Sequence, residues 1–100
     1  MNDIKLKLKD NGQGAFVIEE GDVRLAEMEM AINNGNLTIY HTEVADELKG
    51  KGVANQLLST MAAYAREKQL KVIPLCPYVL AQFKRHEDQY ADIWDKSWHN

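Results

Sequence analysis

Cys76 stands immediately before Pro77, and His41 lies in an apolar stretch that ends just before a glycine turn. Proline suits the first turn of a helix, where its missing N–H costs nothing. Cys76 therefore falls at or beside a helix N-cap. Unpaired amides and the dipole of a helix start favour an anionic sulfur, which makes it a better nucleophile. The plain alternative is a buried cysteine packing as a small apolar residue. His41 follows Leu37 and Ile39 at a period of two, and Glu43 continues it, so one strand face would carry all four. An imidazole can accept a proton near neutral pH. The competing reading is a histidine satisfied at a strand edge. Glu43 is a second candidate base, against its reading as a solvated turn carboxylate.

Between these two residues runs Lys49-Gly50-Lys51-Gly52-Val53-Ala54. Glycine lets the backbone take unusual dihedrals and approach a ligand closely. A helix opening near Gly52 would leave its first amides unpaired, an arrangement that attracts phosphate, and two lysines add charge beside them. A turn needs glycines anyway. The strand before, the helix after and the lysines within raise the signal above that level.

These residues are positioned by a simple order of elements. Ile4, Leu6 and Leu8 alternate with lysines, which predicts a half-buried strand. Asn11–Gly14 turns the chain into a second strand over 15–18, and Glu20–Asp22 turns it into a third over 23–32. The apolar phase shifts between Leu25 and Met28, which predicts a bulge. A further turn at 33–36 leads to a fourth strand over 37–42, completing an antiparallel meander. Val53, Ala54, Leu57, Leu58, Met61, Ala62 and Ala65 form a helical stripe up to Lys68. Residues 71–75 read as a strand beside the fourth, reached by a right-handed crossover. A helix from Pro77 to about His86 follows, and the tail with Trp94 and Trp98 is expected to cap the core. If the fourth and fifth strands are parallel neighbours, His41 and Cys76 reach the same end of the sheet.

Size and charge narrow the function. One hundred residues suit one domain over 1–100, and 45% hydrophobic content marks a globular chain. A formal charge of −3 argues against general nucleic-acid binding, while the local lysines suffice for one phosphorylated ligand. A lone cysteine forms no internal disulfide, no apolar run reaches membrane-spanning length, and the alternating N-terminus lacks a signal-peptide core. A cytoplasmic protein is expected. His41, His86, His99 and Cys76 lack the close spacing of a zinc site, so no metal is expected. Nucleophile-elbow, Walker and dinucleotide patterns are missing. Lys84 and Arg85 read as a solvated helix face before any phosphate contact, and Tyr78 as lining before acid.

The order β-β-β-β-α-β-α with a glycine turn entering the first helix resembles the GNAT N-acetyltransferase superfamily. Its acetyl-CoA signature, Gln/Arg-x-x-Gly-x-Gly/Ala, is similar to the frame around Lys49–Ala54. A closer resemblance is to very short GNAT-like proteins, through His41-Thr-Glu-Val44 and Pro74-Leu-Cys-Pro-Tyr-Val79 followed by Lys84-Arg-His86. The resemblance covers roughly residues 4 to 90. It implies an α+β GNAT-like fold and acetyl-CoA (coenzyme A) bound by Val44, Lys49, Gly50, Lys51, Gly52, Val53 and Ala54. It also implies acetyl transfer to an amine of unknown identity, a small molecule or a protein. With that donor in the turn, an acetyl-cysteine at Cys76 with His41 assisting deprotonation becomes a candidate route. The alternative is a CoA-binding module without catalysis, acting through a partner on the open sheet face. Full-length relatives place two helices between the first two strands, where this chain has room only for a hairpin turn. One face of the sheet is therefore expected to be less covered, and a monomer or weak dimer is expected.

Overall fold

The structure, a computed structural model, describes residues 3–97. Four antiparallel strands, β1 (Lys5–Leu8), β2 (Gln13–Glu20), β3 (Val23–Asn33) and β4 (Asn36–Val44), form the meander. A 3-10 turn over Asp46–Leu48 and the glycine turn lead into α1 (Val53–Lys68). The chain returns in β5 (Lys71–Pro74), parallel to β4, giving the sheet order β1-β2-β3-β4-β5. Helices α2 (Pro77–Arg85) and α3 (Glu87–Tyr90) close the fold. The expected α+β architecture, with its meander and β-α-β unit, is the one found.

Two bulges decide which way the side chains point. In β3 the pairing steps from Ile18–Ala26 to Glu19–Arg24, so Leu25 is the extra residue and turns into the core. This is the shift of phase read from the sequence. In β4 the pairing steps from Met30–Ile39 to Glu29–His41, leaving Tyr40 extra. An extra residue reverses the alternation beyond it. Leu37 and Ile39 are buried in the core, but His41 and Glu43 face away from it, and Thr42 and Val44 turn inward instead. The expected single face of Leu37, Ile39, His41 and Glu43 is therefore corrected: Tyr40 splits it in two.

The core lies on one side of the sheet. Phe16, Met28, Met30, Leu37 and Ile39 meet Leu57, Leu58 and Met61 of α1 and Val79 and Phe83 of α2. The helical stripe of α1 is buried from Val53 to Ala65 except at Ala54, which is half-buried. Trp94 packs on Phe83, with ring centroids 5.6 Å apart, as the capping role of the tail requires. Trp98 lies outside the described residues.

The segment after α3 shields the outer edge of β5. Val72 donates its N–H to Ile93, and its carbonyl accepts from Asp95, at 2.6 and 2.9 Å. A pairing of this kind blunts an edge that would otherwise recruit other chains. Arg66 of α1 anchors it through a forked pair to Asp92, 2.8 and 3.3 Å, and a 2.8 Å bond to the Gln89 carbonyl. The Arg66 guanidinium holds the Asp92 carboxyl below the usual carboxylate range. A depressed carboxylate stabilises the fold above its unfolded value and loses that contribution as pH falls through the folded one. Thermal unfolding of Asp92→Asn should therefore show a shallower loss of stability on acidification than the parent. Equal slopes would mean that the pair does not contribute.

Candidate active site

The glycine turn presents an open cradle. Gly50 and Gly52 sit at φ 81° and 74°, a left-handed region that side-chain-bearing residues adopt only under strain. A Cβ at either position would meet nothing within 4 Å. These glycines thus serve the backbone path and an open approach, not close packing within the protein. Gly52 is the N-cap of α1, and no side chain caps that start among the described residues. The first α1 amides are therefore left without a side-chain partner, at the positive end of a 16-residue helix. Lys49 is held by Asp46 at 2.9 Å, while Lys51 is exposed with no ion pair among the described residues. Val53 is buried and anchors the turn, and Ala54 is half-buried beside it. Such a start suits a pyrophosphate.

Next to the cradle, β4 and β5 part. Their parallel pairing ends at Ile39–Pro74, after which Cys76 donates its N–H to the Ile39 carbonyl at 2.8 Å. Beyond that point His41–Val44 pair with β3 on one side only, and no strand among the described residues lies beside their other backbone edge. An extended chain bearing amides would find partners there. Cys76 is the N-cap of α2, as Pro77 implied. Its Sγ lies 3.3 Å from the Thr42 hydroxyl, a partner made available only by the reversal at Tyr40. Nothing in the residue spacing announced Thr42.

His41 reaches the same end of the sheet as Cys76 but the opposite face. Adjacent strand residues point to opposite sides, and Thr42 already faces the thiol. The structure thus does not bring His41 and Cys76 together as a hydrogen-bonded pair. The sulfur is also sealed in the core at 2% exposure, the burial that the plain alternative for this cysteine expected. His41 instead looks out among carboxylates. It lies directly opposite Glu29 in the ladder, and its Nε2 is 3.9 Å from Glu43. Ligand atoms of Glu27, His41 and Glu43 lie within 4.8 Å of one another, a grouping that the spacing of His and Cys residues did not suggest. Arg24 already engages Glu27 at 3.3 Å. A hydrogen bond with Glu27 and partial burial push the Glu29 carboxyl above its ordinary value.

The remaining candidates find plain places. Tyr78 is half-buried against the core beside Cys76, and burial raises its hydroxyl above the usual phenol range, so it stays protonated. Lys84 and Arg85 are exposed at the far end of α2 from Cys76, where a solvated face was expected. No helix among the described residues is long and apolar enough to cross a membrane.

Comparison with known proteins agrees with this geometry. Residues 15–93 match the family described as GCN5-related N-acetyl-transferase. The NMR solution structure of a GCN5-like protein from Staphylococcus aureus is similar, with 33% identity and a TM-score of 0.69. That likeness covers 94% of this chain and 90% of the other. No curated protein matches. With the cradle, the parted strands and the matched span all coinciding, the chain belongs to the GCN5-related N-acetyltransferase family.

Proposed function

We propose that this chain transfers the acetyl group of acetyl-CoA to an amine, with the acetyl resting in transit on Cys76. The observation that carries the reading is the place of that sulfur: at a helix N-cap, in the gap where β4 and β5 part, next to the open cradle. Pyrophosphate bound on amides of the Lys49–Ala54 turn would direct the pantetheine along the free edge of His41–Val44. The thioester would then arrive at the gap and displace the packing that seals Cys76.

In the first half of the reaction, the Cys76 sulfur attacks the thioester carbonyl. The bond from acetyl carbon to CoA sulfur breaks, and CoA leaves as its thiol with the proton given up by Cys76. Thr42, 3.3 Å away, supports the attacking sulfur with a hydrogen bond. In the second half, the amine attacks the acetyl carbon, the bond to Cys76 breaks, and the sulfur recovers a proton. His41 faces the open side of the sheet at the same strand end, so it takes the amine's proton through a water, and that proton returns to the Cys76 sulfur, which balances the step. The two residues thus act in succession on opposite sides of β4.

Direct attack of the amine on the thioester is the second reading, favoured by the 2% exposure of Cys76. It requires His41 or Glu43 as base and no covalent step. Mass spectrometry of the protein after incubation with acetyl-CoA separates the two: acetyl on Cys76 is expected. Saturable binding without that adduct, but with turnover on an amine, would replace the first reading by the second. Binding without turnover on any amine would reduce the chain to a CoA-binding module.

A further inference from the structure

We propose that the open face of the sheet is a two-fold interface between two copies of this chain, with β2 lying along the symmetry axis. The proposal does not depend on acetyl transfer. No helix among the described residues covers this face, and its side chains include two transverse rows fixed by the strand register. One row runs Lys5–Val17–Glu27 and the next Lys7–Ala15–Glu29, across β1, β2 and β3. Residues directly opposite in antiparallel strands share a face. Each row therefore reads basic, apolar, acidic.

That order has a consequence under symmetry. A two-fold axis parallel to β2 lays β2 on the partner's β2 and carries β1 over the partner's β3, at the same level along the strand. Lys7 then meets Glu29 of the partner subunit, and Lys5 meets Glu27 of the partner subunit, while Ala15 and Val17 lie at the centre. An isologous contact must be self-complementary in this way. A row of one charge sign, or one with its signs ordered differently, would not satisfy the operation. Lys5, Lys7 and Glu29 are exposed; Lys7 is held at 2.7 Å by Glu19 of its own chain, which Arg24 also engages, so a contact with Glu29 of the partner subunit exchanges or extends that surface pair. Within one chain Glu29 lies against another carboxylate, Glu27, and a lysine from a partner offsets that repulsion. His41 extends the second row beyond Glu29, where the partner's sheet has already ended at β1. The face bearing His41 stays open at the rim of the dimer.

The centre is small and already shielded, with Val17 at 0% and Ala15 at 6% exposure, so charge supplies much of the attraction. Exposed charges more than about 10 Å apart are screened in 0.1 M salt, and closer exposed pairs weaken as salt rises further. Sedimentation equilibrium of the full chain at low salt should show a monomer–dimer equilibrium that shifts to monomer as sodium chloride is raised. Lys7→Glu and Glu29→Lys should each weaken the dimer by about tenfold or more, because two pairs per dimer turn repulsive. An equimolar mixture of the two variants should recover association, since each introduced charge then meets its opposite across the axis. A chain that stays monomeric at millimolar concentration and low salt would overturn the proposal. So would a dimer that both variants leave intact, or a mixture that fails to associate when each folded variant is also monomeric.

Discussion

Cys76→Ala is expected to abolish formation of the acetyl-enzyme and to lower turnover by about a thousandfold or more, while acetyl-CoA affinity stays close to that of the parent. Affinity is spared because the cradle amides and the free edge of β4 are backbone groups. His41→Ala should behave differently. The acetyl-enzyme should still form, since the sulfur's hydrogen-bond partner is Thr42, and should then accumulate because the amine's proton has no acceptor. A loss of about a hundredfold in discharge to the amine is the expected size for removing a general base. Pulse-chase mass spectrometry, with acetyl-CoA first and amine second, reads both halves. If His41→Ala blocks the first half as completely as Cys76→Ala does, the residues act together and the sequential scheme is wrong. Full turnover in Cys76→Ala would establish direct transfer.

The reason this separation was illegible in the sequence lies in one residue. Period two places Leu37, Ile39, His41 and Glu43 on one face, and no local signal at Tyr40 contradicts it. Tyrosine favours a strand and occupies a bulge without any special dihedral. The bulge in β3 was legible because Leu25 and Met28 are both apolar and out of phase, so burying both required an extra residue. At Tyr40 the next three residues are polar, and the one apolar residue out of phase with Ile39, Val44, stands at the very end of the strand, where it makes a weak signal. The pairing of Thr42 with Cys76 is a consequence of that hidden reversal, and so is the gathering of Glu27 and Glu29 around His41.

Other parts of the site could be read because a single residue type dictates them. Pro77 fixed the start of α2 and with it the N-cap position of Cys76. The stripe of α1 fixed which of its residues are buried, and the parallel return of β5 followed from the crossover. The free edge of β4 was not legible, since it depends on where β5 stops pairing. Leu75 gives no sign of that stop, whereas the structure ends the ladder at Pro74. The N–H due next in that ladder belongs to Leu75, and it turns back to the Ile73 carbonyl at 3.2 Å while Cys76 takes the Ile39 carbonyl, which ends the pairing.

A test of the cradle must separate ligand contact from backbone strain. Gly52→Ala is expected to lower acetyl-CoA affinity by about tenfold to a hundredfold, measured by calorimetry. A methyl group at Gly52 meets nothing in the protein within 4 Å, so it projects into space that a phosphate would fill. Displacing the phosphate by even one charge-assisted hydrogen bond costs about 1.5–3 kcal/mol, and every 1.4 kcal/mol is about tenfold. The left-handed φ of 74° also strains the alanine itself, by about 1 kcal/mol. Gly35→Ala supplies the control. Gly35 has φ 81° and the same open surroundings, but it turns β3 into β4 at the opposite end of the strand from the cradle. Both substitutions should lower the melting temperature by similar amounts, while only Gly52→Ala should weaken acetyl-CoA. Equal affinity in Gly52→Ala and the parent would remove the turn from the binding site. Equal losses of affinity in both variants would trace the effect to stability, because Gly35 lies too far away to touch the donor.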